Sequence, residues 1–144
     1  MRRSIHALEV ESLELAIEAL RRALDTAQRH EDTPDDALRE TLQAGVIQNF
    51  KVAYEQSWKF MQRWLRENLN AEEANFPRSR KDLFRMAARQ GLVSDPLPWF
   101  EFAEARNLTS HTYDAGKAAS GYETARRFLP FVEEFLFRLK ERND

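Results

Sequence analysis

The sequence predicts an all-α protein, an up-and-down antiparallel bundle of four main helices with one short helix packed against it. Three observations carry that prediction. Apolar residues recur at spacings of three and four along most of the chain, no stretch alternates apolar with polar residues as a half-buried strand does, and only 4 Gly and 5 Pro interrupt the 144 residues. Short connections between long amphipathic helices make successive helices antiparallel neighbours. The length suits a single domain over residues 1–144, and no internal repeat of the kind that builds solenoids is visible.

Each element follows from its own residues. Leu13, Ile17, Leu20 and Leu24, with Ala16, Ala23 and Ala27 beside them, form one apolar face and predict a first helix from about Leu8 to Arg29. His30 to Asp36 breaks the pattern and ends in acids suited to the start of a helix. From Leu38, the positions Leu42, Val46, Phe50, Ala53, Ser57, Met61 and Trp64 continue at helical spacing to about Glu67. Asn68 to Pro77 reads as a loop, because the Phe76-Pro77 step disfavours helix. Ser79 then caps a short helix, Arg80 to Gln90, with Leu83, Phe84, Ala87 and Ala88 inward and Gly91 as its stop. Asp95 reads as the next cap, with Pro96 in the first turn and Trp99, Phe102, Ala103 and Arg106 on one face. After Asp114, a further cap, Tyr122, Ala125, Phe128, Leu129, Val132, Phe135, Leu136 and Leu139 make the most regular stripe in the chain, with a bend expected at Pro130.

Composition narrows function. The hydrophobic fraction of 42% supports a compact interior, and 22 Lys and Arg against 24 Asp and Glu leave a formal charge of -2 with a pI near 6.0. Any phosphate binding is therefore local. No Cys and only 3 His exclude a disulfide framework and a cysteine nucleophile and argue against a zinc cage, so neither a metal nor another cofactor is expected. The basic start, Met1 to Ser4, runs into Glu9, Glu11 and Glu14 rather than an apolar run, which predicts a cytoplasmic protein without a membrane span. Phe50, Tyr54, Trp58, Phe60, Trp64, Phe131, Phe135 and Phe137 outnumber what one helix face can bury, so part of this set is expected at a homodimer interface.

The chemistry-bearing motif is Arg106-Asn107-Leu108-Thr109-Ser110-His111-Thr112-Tyr113. An imidazole near neutrality exchanges protons, a guanidinium grips phosphate through two hydrogen bonds, and an amide positions an oxygen. Together they suit metal-free RNA cleavage, in which the ribose 2′-hydroxyl attacks the neighbouring phosphate. Five residues along a regular helix turn through about 140°, so Arg106 and His111 converge only if the helix ends between them or two subunits pool their motifs. A structural reading stands beside this one: Arg106 pairs with an acid such as Glu104, His111 ties down a helix end, and Tyr113 packs. Lys81, Arg85 and Arg89 recur every four residues with Arg78 one turn before, a cationic face for RNA phosphates, an acidic partner or simply solvent.

Gly45-Val46-Ile47-Gln48-Asn49-Phe50, Tyr54-Glu55-Gln56-Ser57-Trp58-Lys59, Pro77-Arg78, Asp95 with Trp99, and Arg106 to Asp114 together resemble the nucleotidyltransferase substrate-binding protein family, a branch of the HEPN superfamily. The likeness spans about residues 8 to 140. It implies a helical-bundle homodimer that associates with a separately encoded minimal nucleotidyltransferase, often as toxin and antitoxin. It also implies a substrate-binding role with a nucleotide or RNA as substrate. In related HEPN ribonucleases the residues matching Arg106, with Asn107 beside it, and His111 form the cleavage centre across a dimer interface. The tyrosine matching Tyr113 is adenylylated by the partner, which silences the enzyme. Lys81 and Arg85 are the further substrate-binding candidates. The spacer Asn107-Leu108-Thr109-Ser110 is more polar here than the apolar spacer of many toxic members.

Overall fold

The computed structural model describes residues 9–69, 77–108 and 115–142, with the backbone alone for 115–118. Among them the chain forms five helices and no strand: α1 (Glu11–Arg29), α2 (Asp36–Asn68), α3 (Arg80–Arg89), α4 (Leu97–Leu108) and α5 (Ala115–Arg142). The predicted all-α bundle is the observed one. Lys140 meets Glu14 at 2.8 Å, Arg21 meets Glu133 at 3.0 Å and Arg126 meets Glu31 at 3.4 Å, so α1 and α5 run antiparallel. Trp99 packs against Phe128 and Phe135, and Phe102 against Phe128 and Phe131, which fixes α4 along α5. Ser12 donates to Gln56 at 3.1 Å where α2 returns along α1.

Capping explains several of the helix ends. The Asp35 carboxylate accepts from the Leu38 N–H at 3.1 Å and opens α2, and Ser79 accepts from the Asp82 N–H at 3.2 Å and opens α3. At the far end of α3, Gly91 N–H reaches the Ala88 carbonyl and Leu92 N–H reaches that of Ala87, a Schellman closure that needs the left-handed φ of 77° at Gly91. Helix α4 starts one residue later than its sequence suggests. The Asp95 carboxylate accepts from Leu97 N–H, the Pro96 carbonyl accepts from Phe100, and Pro98 occupies the first turn, where no backbone donor is required. Helix α5 continues through Pro130. The expected start of α1 at Leu8 and the Asp114 cap lie outside the described residues.

One buried apolar cluster joins Leu13, Ile17 and Leu20 of α1, Phe50 and Met61 of α2, Leu83 and Phe84 of α3, Trp99 and Phe102 of α4, and Phe128, Val132 and Phe135 of α5. Phe50, Tyr54, Phe60, Trp64 and Phe135 all go inside the chain's own core, so most of the aromatics assigned to a surplus are absorbed without a second copy. The reason lies in α2, which touches α1, α3, α4 and α5 and therefore has more than one inward face. Phe137 is 65% exposed, and Trp58 and Phe131 are half-buried.

Candidate functional site

Lys51 lies three and four residues before Tyr54 and Glu55, and Trp58 four and three residues after them, so the four share one face of α2. Against that face α4 brings Arg106, and α3 brings Arg80. Arg106 Nε lies 3.3 Å from Glu55 Oε1, and the other Glu55 oxygen accepts from Trp58 Nε1 at 2.9 Å. The Arg80 guanidinium lies 3.7 Å from the centroid of the Trp58 ring and donates to the Tyr54 hydroxyl at 3.3 Å. Side chains from three helices thus form one connected polar seam. Arg106 meets the Glu55 carboxylate, Arg80 lies on the Trp58 ring, and Lys51 is close enough to feel the Arg106 charge, so the seam carries more positive than negative groups.

The electrostatics of the seam follow from its partial burial. Desolvation lowers the Lys51 pKa from its ordinary value, and the neighbouring Arg106 cation pushes it the same way. Tyr54 is held above the usual tyrosine range chiefly by burial and secondarily by Glu55, while Arg80 and Arg106 act in opposition. The phenol therefore stays protonated at neutral pH and serves as a neutral hydrogen-bonding group.

The acid that meets Arg106 is Glu55, not Glu104. Residues two apart on a helix point about 200° away from one another, so Glu104 faces away from the guanidinium, whereas α2 offers Glu55 across the interface. Asn107 is exposed in the last turn of α4. His111 and Tyr113 fall in the stretch between α4 and α5 that lies outside the described residues. Lys81 and Arg85 are exposed on α3, 5.7 and 5.3 Å from the centroid of the Phe100 ring of α4, and Arg85 also pairs with Asp82 at 3.3 Å. Their stripe is thus partly tied to aromatic and acidic neighbours rather than wholly solvated.

Glu55 and Arg80 have no assigned role in the sequence reading. Arg80 falls outside the four-residue series of Arg85 and Arg89, and Glu55 is 51 positions from Arg106. The available signal was the Tyr54-Glu55 pair followed three residues later by Trp58, which places an acid and two amphipathic rings on one side of a helix. Among the described residues, no group of His and carboxylates is arranged to hold a metal ion, and no helix is long and apolar enough to cross a membrane.

Fold and seam together define a helical-bundle protein with a cationic, aromatic-lined surface. The chain belongs to the family described as nucleotidyltransferase substrate binding protein like, whose model matches residues 8–141. It is 37% identical over 113 residues, 78% of this chain and 77% of the relative, to a protein of Haemophilus influenzae named probable ribonuclease HepT. A solved structure from Haemophilus influenzae, described as revealing the fold of a substrate binding domain of a nucleotidyltransferase, superposes with a TM-score of 0.85 at 31% identity. That match covers 92% of this chain and 99% of the other.

Proposed function

We propose that this chain is the substrate-binding subunit of a two-component minimal nucleotidyltransferase of toxin–antitoxin type, acting as a cytoplasmic homodimer of single-domain subunits. Membership of the substrate-binding family is the observation that carries this reading. The cationic seam of Lys51, Arg80 and Arg106 supplies a surface for an anionic substrate, a nucleotide or RNA, with Lys81 and Arg85 nearby on α3. Expression of the chain with and without a nucleotidyltransferase encoded beside it tests the pairing. The expected result is a stable co-purified complex, together with growth arrest only when the partner is missing.

A second reading, a metal-independent ribonuclease, is favoured by the relative named probable ribonuclease HepT and by the Arg106-Asn107-x3-His111-x-Tyr113 pattern. His111 would take the proton from a ribose 2′-hydroxyl as its oxygen attacks the adjacent phosphorus. Arg106 would neutralise the non-bridging oxygens, and Asn107 would help to orient the phosphate. The bond to the 5′-oxygen would break, that oxygen would gain a proton from water, and a 2′,3′-cyclic phosphate would remain. Transfer of AMP from ATP to the Tyr113 phenolic oxygen, with loss of pyrophosphate, would place a bulky anion two residues from His111 and block RNA. Cleavage by purified dimer should persist in EDTA and fall about a hundredfold or more in His111→Ala. Equal cleavage by parent and variant would remove the enzyme reading and leave the binding one.

A further inference from the structure

Between α2 and the start of α3 lies a cleft of about 310 Å³ lined by Trp58, Gln62, Pro77, Arg78, Ser79, Arg80 and Leu83. Its charge balance is unusual for this molecule. Four arginines are half-buried among the described residues: Arg39, Arg80, Arg106 and Arg138. Three of them meet a carboxylate, Asp36, Glu55 and Glu134 respectively. No carboxylate of the described residues pairs with Arg80, whose guanidinium is instead held by the Trp58 ring and the Tyr54 hydroxyl. A partly desolvated cation that is fixed in position and unmatched by an acid among the described residues is arranged for an incoming anion.

Its neighbours narrow the chemistry of that anion. Arg78 is a second cation on the cleft wall, also without a carboxylate among the described residues, and the first turn of α3 presents the positive end of the helix. The Trp58 indole already carries the Arg80 guanidinium on one face, and a base can extend that stack. It also connects the cleft to Arg106, since Glu55 is bonded to both. A phosphate on Arg78 and Arg80 with a base against Trp58 satisfies charge and ring together, whereas an acidic peptide would use only the charge.

We infer that this cleft binds a nucleotide of single-stranded RNA, with its phosphate on Arg80 and Arg78 and its base at Trp58, adjoining the phosphate held by Arg106. This rests on the reading of the protein as a nucleotide- or RNA-binding subunit and specifies where and how the strand lies.

The test is a titration of the full-length protein with a ten-nucleotide 2′-O-methyl oligoribonucleotide, which has no free 2′-hydroxyl and so binds without being cleaved. Trp64 and Trp99 are buried, so quenching of tryptophan emission reports mainly on Trp58. Arg80→Ala should weaken binding about tenfold or more and lower the salt slope by about one. The exposed Arg78→Ala, chosen because it should fold as the parent does, should weaken binding severalfold, and Arg80→Lys should recover part of the loss. No binding by the parent, or equal binding by parent and both alanine variants, would overturn the inference. Retained oligonucleotide binding with loss of the co-purified nucleotidyltransferase would instead make the cleft a protein-docking surface and would equally overturn it. RNA cleavage that persists while Arg78→Ala and Arg80→Ala bind normally sinks the cleft alone. Arginine-dependent binding without cleavage sinks only the ribonuclease reading.

Discussion

The centre of the bundle and the seam beside it draw on similar aromatic residues to opposite ends. In the centre, Phe84, Trp99, Phe102, Phe128 and Phe135 are fully buried and meet ring to ring, with Trp99 and Phe128 centroids 5.6 Å apart in an edge-on arrangement. In the seam, the half-buried Trp58 ring holds the Arg80 guanidinium, and beside it Lys81 and Arg85 both lie near the half-buried Phe100 ring. A ring enclosed on every side contributes buried area and edge-to-face attraction. One left partly open presents its negative face to cations and so becomes a platform that positions charge. The difference is one of coverage rather than residue type.

Truncation in the centre should have the largest effect on the fold. Trp99 is 1% exposed and contacts Phe84, Phe102, Phe128 and Phe135, so Trp99→Ala should cost about 3–5 kcal/mol. The loss is read as a lower urea midpoint, and a shift no larger than that of a surface mutation would mean that the centre is not the keystone described here. In the seam the expected pattern reverses. On the ribonuclease reading Arg106→Ala should reduce RNA cleavage about a hundredfold, whereas its stability should change by no more than about 1 kcal/mol, since the side chains of the Arg106–Glu55 pair are 32% and 33% exposed. Parallel thermal melts and cleavage assays separate the two, and a large loss of stability would make Arg106 a structural residue.

The smallest effect is confined to alkaline pH. The raised Tyr54 pKa means that the folded state holds the phenolic proton more tightly than the unfolded state does. This contribution is fully present below the unfolded tyrosine pKa of about 10 and is lost as pH rises through the folded value. Tyr122, raised by burial and by Glu31, acts in the same window, while the lowered Lys51 acts in the opposite sense. Urea midpoints measured from pH 8 to 11 should therefore decline less steeply in Tyr54→Phe, and less again when Tyr122→Phe is added. An unchanged slope would mean that burial at Tyr54 does not perturb its proton.

Local information determined the elements. The three- and four-residue recurrence from Leu13 to Ala27 and from Tyr122 to Leu139, the caps at Asp35 and Ser79 and the stop at Gly91 all act through neighbours within one or two turns, so they are legible along the chain. The Arg106 motif was legible as well, because its residue types and spacing are themselves local. Tertiary structure alone decided which acid meets Arg106, which cation lies over Trp58 and which aromatics go inside. Glu55 and Arg106 are 51 positions apart, and Tyr54 and Arg80 are 26. No periodicity encodes such pairings, since they depend on how three helices pack and on how much of each ring that packing leaves uncovered.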